Sequence, residues 1–151
     1  MSSFIQKMSV YSNLPIYNTL VNLLKDLYER VPKFSKEYKY FLGEKMLECC
    51  VDSLVLLCKI SASKEKVNRI EFLSQIEDNM NVLLIYMRIA NELNQLTKKD
   101  NYFFLSKKVV EILNQAENWK KFLQNKKCSQ NCTSDGRASV DKKNSSFYSL
   151  P

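Results

Sequence analysis

The chain has 151 residues with 2 Gly, 3 Pro and no His, and its 23 Lys and Arg against 16 Asp and Glu give a formal net charge of +7. One domain suits this length, and two glycines are too few for a many-stranded β protein or a Gly-rich phosphate loop. Without His there is no Ser-His-Asp or Cys-His catalysis, no His metal ligand and no imidazole pH switch.

Residues 1–13 are mixed in character and read as a flexible N-terminal segment; Met1–Lys7 lacks the basic-then-apolar order of a secretory signal. A first helix follows Asn13, a candidate cap, with Pro15 in the first turn, where its missing N–H is not needed. Its apolar positions are Tyr17, Leu20, Val21, Leu24, Leu27, Tyr28 and Val31, and Pro32 ends it. Ser35 is the candidate cap of a second helix reaching about Ser61, with Leu42, Met46, Cys49, Cys50, Leu54, Leu57 and Cys58 inward. Gly43 inside it, which costs roughly 1 kcal/mol against Ala, marks a point of close packing. A third helix over about 64–95 carries one stripe at Leu73, Ile76, Met80, Leu83, Leu84, Met87 and Ala90, and another at Val82, Ile85, Ile89, Leu93 and Leu96. Thr97-Lys98-Lys99-Asp100 suits the cap of a fourth helix, which runs to about Gln124 through Tyr102, Leu105, Val109, Ile112, Leu113, Ala116, Trp119 and Leu123. From Asn125 the chain turns Ser-, Asn- and Lys-rich, and 125–151 reads as a disordered basic tail.

Amphipathic helices joined by short connections predict an all-α fold, an up-down-up-down antiparallel four-helix bundle over 14–124. A bundle uses one apolar face per helix. The second stripe, Val82, Ile85, Ile89 and Leu93, is therefore assigned to an interface of a homo-oligomer, the alternative being a Leu-rich helix in a thick core. No apolar run approaches the roughly 18 residues of a membrane span. Cys49, Cys50 and Cys58 lie among apolar residues, while Cys128 and Cys132 stand in the tail without the further ligands zinc requires. Reduced thiols point to a cytoplasmic protein. Glu44 with Glu48, and Glu77 with Asp78, read as solvated helix faces, and no nucleophile has a base beside it. The expectation is no enzyme, no catalytic residue, no metal, no cofactor and no small-molecule substrate.

The positive charge favours an anionic partner, nucleic acid above all, although the excess is shared between the helical region and the tail. From Arg30 to Lys45 basic and aromatic residues alternate, as suits phosphate neutralisation and base stacking. Arg30, Lys33, Lys36, Lys39 and Lys45 are the candidate contacts, with Phe34 and Phe41 expected to close the bundle end; core plus ordinary surface is the alternative account. The pairs Lys98-Lys99, Lys107-Lys108 and Lys120-Lys121 form no single stripe, since helical rotation sets the middle pair opposite the outer two.

Pro32-Lys33-Phe34-Ser35-Lys36-Glu37-Tyr38-Lys39-Tyr40-Phe41-Leu42-Gly43-Glu44-Lys45 resembles the Pro, basic and Leu-Gly junction of a bacterial four-helix-bundle family. That family comprises the accessory variability determinant (Avd) proteins of diversity-generating retroelements and the proteins encoded in 23S rRNA intervening sequences. Leu83-Leu84-Ile85-Tyr86-Met87-Arg88-Ile89-Ala90-Asn91-Glu92-Leu93 is similar to its third helix, with Arg88 in the place of its usual Arg, and Val110-Glu111-Ile112-Leu113 through Trp119-Lys120 is similar to its last. Glu117-Asn118 stands before Trp119 where the family usually has Gly-Gly. The resemblance implies a basic, non-enzymatic, ring-like homopentamer that binds a reverse transcriptase and template RNA or cDNA in mutagenic reverse transcription, with Arg88 joining the candidate contacts. Five copies carry a formal charge of about +35. The other branch implies an oligomeric scaffold with a protein-interaction role only, in which Arg88 pairs with Glu92 one turn on.

Overall fold

The computed structural model describes residues 12–96 and 98–131, and among them every regular element is helical. Four helices dominate: α1 (Pro15–Arg30), α2 (Glu44–Ala62), α3 (Lys66–Glu92) and α4 (Lys99–Asn131). Each packs on the next, and α4 returns onto α1. An all-α bundle is thus the observed architecture.

Pro15 opens α1 as expected, but extended Leu14 precedes it and no side chain caps the helix, so Asn13 is not the cap. The inward face is Ile16, Leu20, Leu23 and Leu27, continued by Val31, while Tyr28 is exposed and Tyr17 and Leu24 are half-buried. This face is rotated from the expected stripe. Both sets of residues obey the 3.6-residue period, and contact with α2 on one side and α4 on the other selects between them.

The connection from α1 to α2 differs most from expectation. Instead of one helix from Ser35, there is a 3₁₀ turn (Val31–Lys33), a helical turn (Lys36–Tyr38) and a π-helical turn (Lys39–Gly43) leading into α2. The Ser35 hydroxyl makes no cap bond; the Ser35 N–H donates to Gln95 Oε1 at 2.7 Å, tying the two connections at this end of the bundle together. A π turn inserts a residue into the α register. Here Leu42 and Gly43 point inward and Phe41 is 83% exposed, so Phe34 closes the bundle end and Phe41 does not. Gly43 is a close-packing point: a Cβ there would lie 2.5 Å from Val31 Cγ1.

In α2 the buried residues are Met46, Cys49, Cys50, Ser53, Leu56, Leu57 and Ile60. The Ser53 hydroxyl donates to the Cys49 carbonyl (2.7 Å) and accepts from the Asn79 amide of α3 (3.4 Å), so this one buried polar side chain is satisfied. Burial pushes the Cys50 thiol up to about 12, and burial followed by the nearby Asp52 and Glu48 raises Cys49. In α3 Leu73, Ile76, Met80, Leu83, Met87 and Ala90 are buried as expected, with Leu84 half-buried. The helix ends at Glu92 with Leu93 as its C-cap, and Asn94 follows with a φ of +56°. Gln95 N–H donates to Ala90 O and Asn94 N–H to Asn91 O, the Schellman pattern with Asn in the place usually held by Gly.

In α4 Leu105, Val109, Ile112, Ala116 and Leu123 face the core. The helix continues past Gln124 to Asn131, so the first residues of the expected disordered tail are helical. Lys108 of α4 pairs with Asp26 of α1, and Lys120 pairs with Glu77 of α3 while also donating to Ser74 Oγ (3.4 Å). Glu77 is therefore a bundle contact and not part of a solvated face. The expectations for 1–11, for the Thr97 cap, for Cys128 and Cys132, and for 132–151 lie outside the described residues.

Candidate nucleic-acid interface

The candidate cations divide by the company they keep. Arg30, in the last turn of α1, has a side chain only 19% exposed. Its Nη1 donates to the Asp26 carbonyl (2.8 Å) with the Asp26 carboxylate 3.6 Å away, and its Nη2 donates to Asn101 Oδ1 of α4 (3.3 Å). The Phe104 ring lies 5.9 Å from the guanidinium, and the buried Nε has no hydrogen-bond partner. Arg30 thus joins α1 to the start of α4 while keeping one donor in reserve.

Lys33, in the 3₁₀ turn, is exposed and lines a cavity of about 240 Å3 together with Arg30, Glu29, Gln95, Leu96, Lys98 and Asn101. Lys36 is exposed on the following turn, and Lys39 lies over the Tyr40 ring at 5.9 Å. Lys45 donates to Glu48 (2.9 Å), and that bond, with the Glu48 charge, holds its pKa above the usual lysine value. It borders a different, largely apolar groove with Phe41, Tyr86, Ile89 and Leu93. Arg88 is 75% exposed and its Nε meets Glu92 Oε1 at 3.3 Å, an exposed pair of the kind that contributes little to stability. The structure therefore brings Arg30 and Lys33 to one cavity, sets Lys45 beside the apolar groove, and pairs Arg88 on its own helix.

The second stripe of α3 is uncovered in the single chain: Val82, Ile85, Ile89 and Leu93 are all exposed, Ile85 at 58%. Leu96, grouped with them by spacing, is buried, because the chain has already left the helix at Asn94. Phe41 joins this face from the π turn. Periodicity offered no hint of that, since an unbroken α-helix would have sent Phe41 elsewhere. Lys98, Gln95 and Asn101 were equally hidden as site residues, because only the meeting of the two connections places them beside Arg30.

Among the described residues no three Cys, Asp or Glu converge as metal ligands, and no helix is long and apolar enough to cross a membrane. A helical bundle with a basic end and an uncovered apolar side is the class of protein these features define. The chain belongs to the bAvd-like family, whose model matches residues 15–123. That family is not known as an enzyme family. No curated protein matches the chain.

Proposed function

We propose that this protein is a non-enzymatic, nucleic-acid-binding accessory protein of the Avd type. In this reading it works in the cytoplasm as a ring-like homo-oligomer, a pentamer, that engages RNA or cDNA and a reverse transcriptase in mutagenic reverse transcription. The observation that carries the reading is membership of the bAvd-like family across all four helices up to residue 123. Two features support it. Exposed Lys33 and Lys36 and the Lys98 end of α4 form no ion pair among the described residues, so their charge is available to phosphates. Val82, Ile85, Ile89 and Leu93 offer the apolar patch that a subunit contact uses. A ring also needs a second, different mating patch on each copy, and exposed Phe103 and Val110 of α4 supply one.

The affinity of the purified oligomer for single-stranded RNA is expected to fall steeply with salt, and the triple substitution Lys33→Glu, Lys36→Glu, Lys39→Glu to abolish binding while the helical circular-dichroism signal stays intact. RNA binding that is absent, or insensitive to salt, overturns the reading.

A second reading, an oligomeric scaffold with a protein-interaction role only, is favoured by the Arg88–Glu92 pair, which occupies the Arg88 guanidinium within its own helix. An intact oligomer that binds no RNA, in the wild-type chain and in Arg88→Ala alike, points that way. RNA binding by the wild-type chain that Arg88→Ala weakens points to the first reading.

A further inference from the structure

The cavity at the end of the bundle combines elements that are 60 residues or more apart in sequence. Arg30 comes from the last turn of α1 and Lys33 from the α1–α2 connection; Gln95, Lys98 and Asn101 come from the α3–α4 connection and the first turn of α4. Its side chains are not equally available. Gln95 is committed, accepting from Ser35 N–H and donating to the Leu93 carbonyl (2.9 Å), and so it fixes the shape of the cavity. Lys45, Lys108, Lys120 and Lys121 each have a carboxylate partner, whereas Lys33 and Lys98 have none among the described residues. Asn101 spends its oxygen on Arg30 and its amide nitrogen has no partner among the described residues, while Arg30 retains an unsatisfied buried Nε–H. A buried donor without an acceptor is unfavourable, so the Arg30 guanidinium is left short of one acceptor.

Size and charge narrow the ligand. At about 240 Å3 the cavity is smaller than the pockets, roughly 300–1,000 Å3, that enclose drug-sized molecules, so it suits a small group more than a whole nucleotide. Arg30, Lys33 and Lys98 set against Glu29 leave its described lining with two excess positive charges. That matches a phosphate monoester, whose charge near neutral pH is about −1.5 to −2, better than a singly charged backbone diester or a carboxylate.

We infer that this cavity seats one phosphate monoester, the terminal phosphate of a bound nucleic-acid strand, through Arg30, Lys33, Lys98 and Asn101. The inference rests on the nucleic-acid reading above and adds to it a preference for strand ends. Backbone phosphates then contact the exposed lysines that follow Lys33, while the terminal phosphate anchors the strand.

The test uses the full chain and short fluorescent oligoribonucleotides of one sequence, labelled at the 3′ end and carrying either a 5′-phosphate or a 5′-hydroxyl. Anisotropy titrations are expected to show about tenfold tighter binding of the phosphorylated strand, the size of one charge-assisted contact set. Lys33→Gln and Lys98→Gln, both at exposed positions that leave folding intact, are expected to bring the ratio close to one. Lys64→Gln, at the opposite end of the bundle, is expected to preserve it. Millimolar inorganic phosphate is expected to erase the difference, and acetate at equal ionic strength to leave it. If acetate erases it equally, the cavity is a general anion site and the inference falls. Equal affinity for the two strands, with steep salt dependence, overturns the inference and leaves the broader reading standing. A ratio that survives in both lysine variants places the end recognition elsewhere and also overturns it. Binding of neither strand removes the broader reading and the inference together.

Discussion

Gly43 has ordinary helical φ and ψ, so its lack of a side chain serves packing alone. A methyl group there gains roughly 1 kcal/mol in helix propensity, but overpacking typically costs about 1–3 kcal/mol. Val31 is β-branched, stiff and buried, and cannot swing aside. The steric cost wins: Gly43→Ala is expected to destabilise by about 1–2 kcal/mol in urea unfolding with an unchanged slope, and Val31→Ala in the same chain to recover part of the loss. Asn94 shows the complementary use of a residue, a left-handed helix terminus served by Asn in a chain with only 2 Gly. Cys50 gives a pH signature. Its folded thiol is raised to about 12 from 9.0, so the stability it contributes is fully present below pH 9 and is lost as pH rises toward 12. Over that window the wild-type chain is expected to lose up to about 1.4 kcal/mol per pH unit more than Cys50→Ala, as read by chemical denaturation at stepped pH.

At the scale of elements, α4 is held from two sides. Lys108 and Lys120 are twelve residues apart, about 120° of rotation once whole turns are removed, so one reaches Asp26 of α1 and the other Glu77 of α3. Each partner is about one-fifth exposed, so these pairs fall between surface pairs near 0–1 kcal/mol and fully buried pairs whose disruption costs about 3–5 kcal/mol. A double-mutant cycle with Glu77→Gln and Lys120→Met is expected to give a coupling of about 1–2 kcal/mol in thermal unfolding. The same cycle on Arg88 and Glu92, both well exposed, is expected to give less than about 0.5 kcal/mol. A larger value at the second pair than at the first contradicts this ordering. The lysine doublets near and along α4 were visible in the sequence; that Lys108 and Lys120 reach across to other helices, while Lys121 pairs within α4 and Lys98 and Lys107 stay exposed, was not, because the carboxylates Asp26 and Glu77 belong to α1 and α3.

For the whole molecule, Val82, Ile85, Ile89 and Leu93 with Phe41 form an apolar side that a lone chain leaves to water. On the proposed oligomeric reading, Ile85→Lys with Ile89→Lys is expected to give monomers in light scattering where the wild-type chain gives the oligomer, without lowering the stability of the fold, since neither side chain belongs to the core. Persistence of the full oligomer places the subunit contact on another face. This side was legible in advance as a second stripe on a helix that already had an inward one. The cavity at the bundle end was not, because no local pattern links Arg30 to Lys98 and Asn101.

The sequence by itself determined the number of long helices, the residues that face the core of α3 and α4, the spare apolar stripe and the net charge, since each is written in local period or in composition. Tertiary structure decided the rest: the rotation of α1, the π turn that puts Phe41 in solvent, the lysines already matched to acids and the cavity that gathers Arg30, Lys33 and Lys98. The division has one physical cause. A helix repeats every 3.6 residues wherever it lies, whereas the pairing of a charge or the closing of a cavity depends on side chains that meet only when separate helices pack.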